Sequence, residues 1–261
     1  NNIVDGSLDS YWKSVGIINQ SITIDFRNRR EFGGLKIDWL KNYQAKSFDV
    51  LLSEDGKSWE KVYSVSSNSS DVSFIKLSEV EARLLRINLI ESSADESFGI
   101  SEIKFLDIKN SLTPNDFLLF TAKNSPKGNY PRYFLDEASF WTVLGVNNDV
   151  KEAMINTDGM VEIDKSAFSI EPMLQVGNDF YNWSNVSATQ SLKEKYLPIP
   201  KVEWNCGDLN FNVEAFANGE ANKSSTLYLK YKITNNSTSV KDGKLFLMIR
   251  PFQVNPHYQW L

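Results

Sequence analysis

Apolar residues in this chain recur at every second position over short stretches, and turn signals separate those stretches at intervals of roughly ten residues. Period-two alternation is the signature of strands with one buried face. In SITIDF the inward set is Ile22, Ile24 and Phe26; in GLKIDWL it is Leu35, Ile37 and Trp39; in SFDVLLS it is Phe48, Val50 and Leu52. RLLRINLI places Leu85, Ile87 and Leu89 on one face, and SEIKFLDI closes the first half with Ile103 and Phe105. Asp55-Gly56 lies between SFDVLLS and WEKVYSV, where it predicts a tight hairpin turn, because Gly adopts positive φ without strain. In the second half Leu209, Phe211 and Val213 alternate with polar neighbours, as do Leu227, Leu229 and Tyr231. KLFLMIR, from Lys244 to Arg250, is apolar on both faces and predicts a central strand covered on both sides.

The polar stretch Lys109 to Asn115, with Pro114 inside it, predicts a domain boundary, since Pro cannot donate to a sheet. The expected organisation is residues 1–109, a linker at 110–116, and 117–261. The fold class is all-β, two sandwiches in tandem with few helices. Ser64 to Ser73, rich in Ser and Asn, is expected to be a surface loop. The chain ends in RPFQVNPHYQWL, which suggests a cut between domains of a longer protein.

Composition narrows the chemistry. Lys plus Arg number 28 and Asp plus Glu 33, a net charge of −5 with the signs interspersed. Nucleic acid and anionic membranes demand a basic patch, so a neutral ligand suits the chain better. No apolar run is long enough to span a bilayer as a helix. Cys206 is the only cysteine and His257 the only histidine, which excludes an internal disulfide, a Cys-rich zinc site and a multi-histidine metal centre. Cys206 is expected to be a small buried hydrophobe.

Residues 3–108 resemble the coagulation factor 5/8 type C, or discoidin, family, whose bacterial members include many carbohydrate-binding modules. The match lies in IVDGSLDSYW (Ile3 to Trp12), IDWLKNYQAKSFDVLLSEDGKSWEKVY (Ile37 to Tyr63) and RLLRINLIESSADESFGISEIKFLDI (Arg83 to Ile108). The resemblance implies a discoidin-type, galactose-binding-like jelly-roll sandwich. It also implies a structural calcium ion between the Asp-Gly loop and the last strand, held by the carboxylates of Asp5 and Glu102, by Ser10, and by main-chain carbonyls of Asn2, Ser7 and Ser101. Mixed carboxylate and carbonyl oxygens suit this hard cation. In carbohydrate-binding members a sugar stacks on an aromatic among the loops at one end. The candidates are Trp39, Tyr43 and Phe98 with Arg30 and Asn42, while Trp12 and Trp59 match positions that pack inside. Family members usually begin with a strand ahead of the Asp-Gly loop, and this chain starts at the loop.

Residues 117–261 look like the β-super-sandwich that precedes an (α/α) six-hairpin barrel in bacterial glycosidases and phosphorylases. That resemblance rests on PRYFLDEASFWTVLG, TQSLKEKYLPIPKVEW and GKLFLMIRPFQVNP. It implies a downstream barrel in the same polypeptide that carries the catalytic carboxylates. The expected function is thus the non-catalytic, glycan-binding and scaffold part of a larger secreted, periplasmic or cell-surface bacterial enzyme. The alternatives are a free-standing adhesion protein and a self-contained glycosidase. The last would have to draw on Asp136, Glu137, Asp158, Glu162, Asp164 or Glu171, because glycoside hydrolysis needs two carboxylates facing one cleft. Turn and surface roles account for these acids more simply.

Overall fold

The structure is a computed structural model that describes residues 3–94, 96–164 and 167–251. Contacts divide the chain into two units, Asn1–Thr121 and Ala122–Leu261, and both are built from antiparallel sheets.

The first unit holds six strands: β1 (Trp12–Lys13), β2 (Gln20–Trp39), β3 (Ala45–Ser53), β4 (Glu60–Val65), β5 (Val72–Ser92) and β6 (Gly99–Leu106), in the sheet order β1-β6-β2-β5-β3-β4. β2 and β5 are far longer than an ordinary strand. They pair along their length only by bending, and the register slips between Asp25 and Arg30 and between Phe32 and Gly34. Such bulges bend a strand and let one ribbon wrap a core. Every inward residue anticipated from alternation contributes to that core: Leu35, Ile37, Trp39, Phe48, Val50, Leu52, Leu85, Ile87, Leu89 and Ile103 are buried, with Ile22, Ile24, Phe26 and Phe105 packed against them.

The β3–β4 connection is longer than a two-residue turn, running from 54 to 59. Asp55 organises it, since its Oδ1 accepts from the amides of Lys57 at 2.8 Å and Ser58 at 2.9 Å, while Gly56 takes a φ of 74°. Neither tryptophan expected inside is fully enclosed. Trp12 packs half-buried against the core, and Trp59 lies under the Arg86 guanidinium, 3.8 Å from its ring centroid.

The polar stretch expected to be a linker is folded onto the first unit. A 3₁₀ turn at Ile108–Asn110 leads to helix α1 (Pro114–Lys123). Ser111 is buried and sits so close to Gly33 that a Cβ there would meet its Oγ at 1.7 Å. Thr113 and Asp116 form a reciprocal cap: the Thr113 amide donates to Asp116 Oδ2 at 2.9 Å, and the Asp116 amide donates to Thr113 Oγ1 at 3.2 Å. Pro114 occupies the first helical turn, where its missing N–H costs nothing. The division between units falls inside α1.

The second unit is a sandwich. One sheet contains β7 (Trp141–Gly145), β8 (Glu152–Asn156), β9 (Val161–Glu162), β10 (Ser169–Val176) and β11 (Asp179–Tyr181); the other contains β12 (Ser187–Leu192), β13 (Pro200–Cys206), β14 (Leu209–Gly219) and β15 (Ser225–Asn235). Leu144, Ile155, Val161 and Leu174 from the first sheet meet Val202, Trp204, Phe211 and Val213 from the second in one core. Cys206 is buried among them, and burial pushes its thiol up to about 11.

KLFLMIR does not form a doubly covered central strand. It is β16 (Gly243–Arg250), paired with β10 alone among the described strands, with Phe246, Leu247, Met248 and Ile249 exposed. Chain pattern reports only that both faces are apolar; what covers them is decided by other elements.

Candidate functional site

Three loops of the first unit meet around Gly99. The segment 40–43 is clamped by main-chain bonds, with the Leu40 amide donating to Gly99 O at 3.0 Å and the Gly99 amide donating to Tyr43 O at 2.8 Å. Only glycine permits this approach, because a Cβ at 99 would lie 2.6 Å from Leu40 Cβ and 3.0 Å from Tyr43 Cβ. Asn42 takes a left-handed conformation (φ 70°) that asparagine tolerates better than most residues, and its carbonyl accepts from Ser93 Oγ at 3.2 Å. The loop after β1 is pinned to the same place: the Ser14 amide donates to Phe98 O at 2.9 Å, and the Phe98 amide donates to Ser14 Oγ at 2.8 Å. Lys13 then sets its ammonium 3.8 Å from the centroid of the half-buried Tyr43 ring.

The sugar-site candidates therefore separate. Tyr43 and Asn42 share one loop with Lys13 over the ring. Trp39 is only 4% exposed, donates its Nε1 to Ser73 Oγ at 2.8 Å and packs edge-on against Phe48; Phe98 is fully enclosed. Neither presents a face to a ligand: Trp39 sits on the inward face of β2, and Phe98 is enclosed in the loop before β6. Arg30 is exposed and stacks over Phe26 and Phe105, at 5.5 and 5.2 Å from their centroids, instead of joining the 40–43 loop. Lys13 went unnoticed in the sequence, since nothing local announces that residue 13 reaches residue 43.

Of the calcium candidates, Asp5, Ser7 and Ser10 share one hydrogen-bonded loop that also reaches Glu102. Asp5 Oδ1 accepts from the Ser7 amide at 2.9 Å and Oδ2 from Ser10 Oγ at 2.8 Å. The Ser10 hydroxyl, and after it the Ser7 amide, hold this carboxyl below the usual range. The loop is tied to β6 by the Gly6 amide, which donates to Glu102 Oε1 at 3.2 Å, and by the Ile103 amide, which donates to Ile3 O at 2.7 Å. Glu102 Oε2 is buried with no hydrogen-bond partner among the described residues. A buried carboxylate oxygen without a donor is costly, and a cation satisfies it. Ser101 is buried beside Glu102 in sequence, and Asn2 lies outside the described residues. Among the described residues no three acidic, histidine or cysteine side chains converge, so a cation here would draw on two carboxylates, hydroxyls and main-chain carbonyls. That donor set fits calcium.

Several of the acids singled out in the second unit meet basic side chains. Arg132 grips Asp158 with two bonds, at 2.7 and 3.1 Å, and reaches Glu137 at 2.8 Å. Lys127 also pairs with Glu137 and, as the largest influence, holds its carboxyl below the ordinary range. Asp136 is exposed and bonds Lys123 at 2.8 Å. Glu171 is 4% exposed and lies 2.9 Å from Arg250 Nε, without hydrogen-bond alignment. Burial pushes Glu171 up to about 7, opposed by Arg250 and aided by Asp158. Glu162 is buried and Asp164 is half-buried. These are two separate ion-pair groups, and Arg250 Nη2 also donates to Asn129 O at 2.6 Å, tying β16 to the segment before Arg132.

Residues 1–103 match the family model described as the F5/8 type C domain. No curated protein sequence matches the chain. Similar solved structures include chitosan-binding module 2, in complex with chitotriose, from a chitosanase/glucanase of Paenibacillus sp. IK-5 (19% identity, 40% of this chain and 83% of that one, TM-score 0.38). Others are CpGH89CBM32-5 of Clostridium perfringens in complex with GalNAc-β-1,3-galactose (18%, 40% and 81%, 0.37) and the family 32 carbohydrate-binding module of Streptococcus pneumoniae EndoD (19%, 41% and 83%, 0.37). No helix among the described residues is long and apolar enough to cross a membrane.

Proposed function

We propose that the first unit is a carbohydrate-binding module and that this chain is the non-catalytic, glycan-binding and scaffold portion of a larger secreted carbohydrate-active enzyme. The observation that carries the binding reading is the rigid loop around Gly99, where Tyr43, Asn42 and Lys13 offer one aromatic ring and two hydrogen-bonding side chains. The C–H face of a pyranose matches an aromatic ring, while amide and ammonium groups read its hydroxyl pattern. The match of residues 1–103 to the F5/8 type C domain model supports it. The scaffold reading is supported by the second unit, where Glu137, Asp158 and Glu171 each face an arginine or lysine. A barrel downstream, and secretion of the whole, belong to the same proposal.

Calcium is the second part. Asp5, Ser10 and Glu102 are the side chains that would hold it, and the ion would fix the Asp-Gly loop against β6 without taking part in any reaction.

The test is glycan-array binding of the intact chain beside Tyr43→Ala. Wild-type protein should retain at least one neutral glycan, and the variant should lose it by about tenfold or more, the weight of one stacked ring and its ordered partners. Unchanged binding by the variant would overturn the assignment of the site.

A further inference from the structure

Across β9, β10 and β16 the residues Glu162, Ser169 and Arg250 stand in one row, and Glu171 follows Ser169 on the same face of β10, as alternation requires. All four are buried, none more than 9% exposed. The patch is incompletely satisfied: Ser169 Oγ, Glu171 Oε2 and Arg250 Nε have no hydrogen-bond partner among the described residues. Glu171 Oε2 and Arg250 Nε lie 2.9 Å apart but out of line. Charge attraction is therefore present without the hydrogen bond that would help offset desolvation of the pair. Arg250 has other anchors, since its Nη2 donates to Asn129 O at 2.6 Å and its guanidinium lies 5.4 Å from the centroid of Tyr130.

The groups around Glu171 act in the same sense. Asp158, on the turn between β8 and β9, adds negative charge and is itself taken up by Arg132. Glu162 brings a further carboxyl from β9. Tyr133, in the 3₁₀ turn Arg132–Leu135, keeps its proton because burial raises its phenol. Arg250 favours the ionised form of Glu171, while burial and Asp158 oppose it. A carboxyl enclosed in this way is more stable neutral in the closed structure and ionised once water reaches it. β16 is the element that can admit water. It pairs with β10 alone among the described strands, and Phe246, Leu247, Met248 and Ile249 are exposed along it; local opening begins at such thinly covered edges.

We propose that Glu171 and Arg250 form a pH-sensitive latch on the end of β16: with Glu171 protonated the strand end stays closed on β10 and on the 129–133 segment, and ionisation of Glu171 loosens it while the rest of the sandwich stays folded. The latch belongs to the second unit and is independent of the glycan reading of the first. Its direction follows from where the proton is held more tightly. Glu171 sits at about 7 when enclosed and returns to the ordinary 4.5 when the strand end opens. The contribution to closure is fully present below 4.5, falls as pH rises to about 7 and is flat above.

The experiment is hydrogen exchange on the intact chain, wild type beside Glu171→Gln, at pH 5.5 and 7.5. Rates are compared as protection factors, which divide out the ordinary acceleration of exchange by base. In wild type the amides of residues 245–250 should lose about tenfold or more of their protection between the two pH values, and those of β13 and β14 should keep theirs. In Glu171→Gln the same β16 amides should show no pH dependence. Carbon-13 titration of the Glu171 carboxyl in the wild-type protein keeps the test valid if the variant does not fold, with a midpoint near 7 expected. A midpoint at the ordinary 4.5 would overturn the latch, as would a pH dependence of β16 that survives Glu171→Gln. An equal loss of protection in β13, β14 and β16 would overturn it too, because the proton would then act on the whole unit and not on one strand end.

Discussion

Glu171 shows what burial does to one side chain. Its carboxyl sits at about 7 in the folded protein and, in an unfolded chain, at the ordinary value of 4.5. The folded state thus binds this proton more tightly, so the group's contribution is fully present below the unfolded value, declines as pH rises from 4.5 to about 7, and is flat above. The expected loss over that window is up to roughly 3 kcal/mol. Urea unfolding at pH 5, 6, 7 and 8 checks it: Glu171→Gln should remove this limb of the profile and leave the remainder. At Cys206, a thiol raised to about 11 and enclosed in the sandwich core should fail to react with a thiol reagent until the protein unfolds. The burial of Cys206 was legible in its sequence setting. The Glu171–Arg250 pair was not, because its two members lie far apart in the chain and nothing local marks their approach. For the same reason Tyr43 could be singled out as an aromatic candidate near a loop while Lys13 could not. Trp39 and Phe98 were misplaced because being aromatic and near a loop says nothing of which way a side chain turns; alternation did say so for Trp39, which shares a face with Leu35 and Ile37.

At the scale of elements, alternation reported strands faithfully and connections poorly. The inward sets of β2, β3, β5 and β14 all reach a core, since a half-buried strand must alternate to exist. Helix α1 was hidden in what looked like a linker, although Thr113, Pro114 and Asp116 together spell a helix start. Thr113→Ala should cost about 1 kcal/mol, seen as a lowered unfolding midpoint of the first unit, and Thr113→Ser should restore most of it. β16 fails in the opposite direction. Its apolar run reads as a covered strand, yet Ile249 is 69% exposed and the strand pairs on one side only among the described residues. An exposed apolar edge promotes self-association. Ile249→Lys should therefore change stability by less than about 0.5 kcal/mol while lowering light scattering in concentrated solution.

At the scale of the whole chain, the two units answer to different tests. Because the proposed calcium would be held by the folded Asp-Gly loop, millimolar calcium should raise the unfolding midpoint of the first unit in proportion to the logarithm of its concentration. Glu102→Gln should abolish the rise, and the second unit should not respond to either change. A chelator that leaves the midpoint of the wild-type first unit unmoved would remove calcium from the account.

The chain's own pattern determined that this protein is all-β, which residues form its cores, and which family model its first hundred residues match, because periodicity and local motifs are properties of neighbours in sequence. Tertiary structure alone decided that Tyr43 rather than Trp39 meets solvent, and that Glu137, Asp158 and Glu171 of the second unit meet basic partners. Those facts depend on groups brought together from distant parts of the chain, and burial and electrostatics act through space without regard to sequence separation.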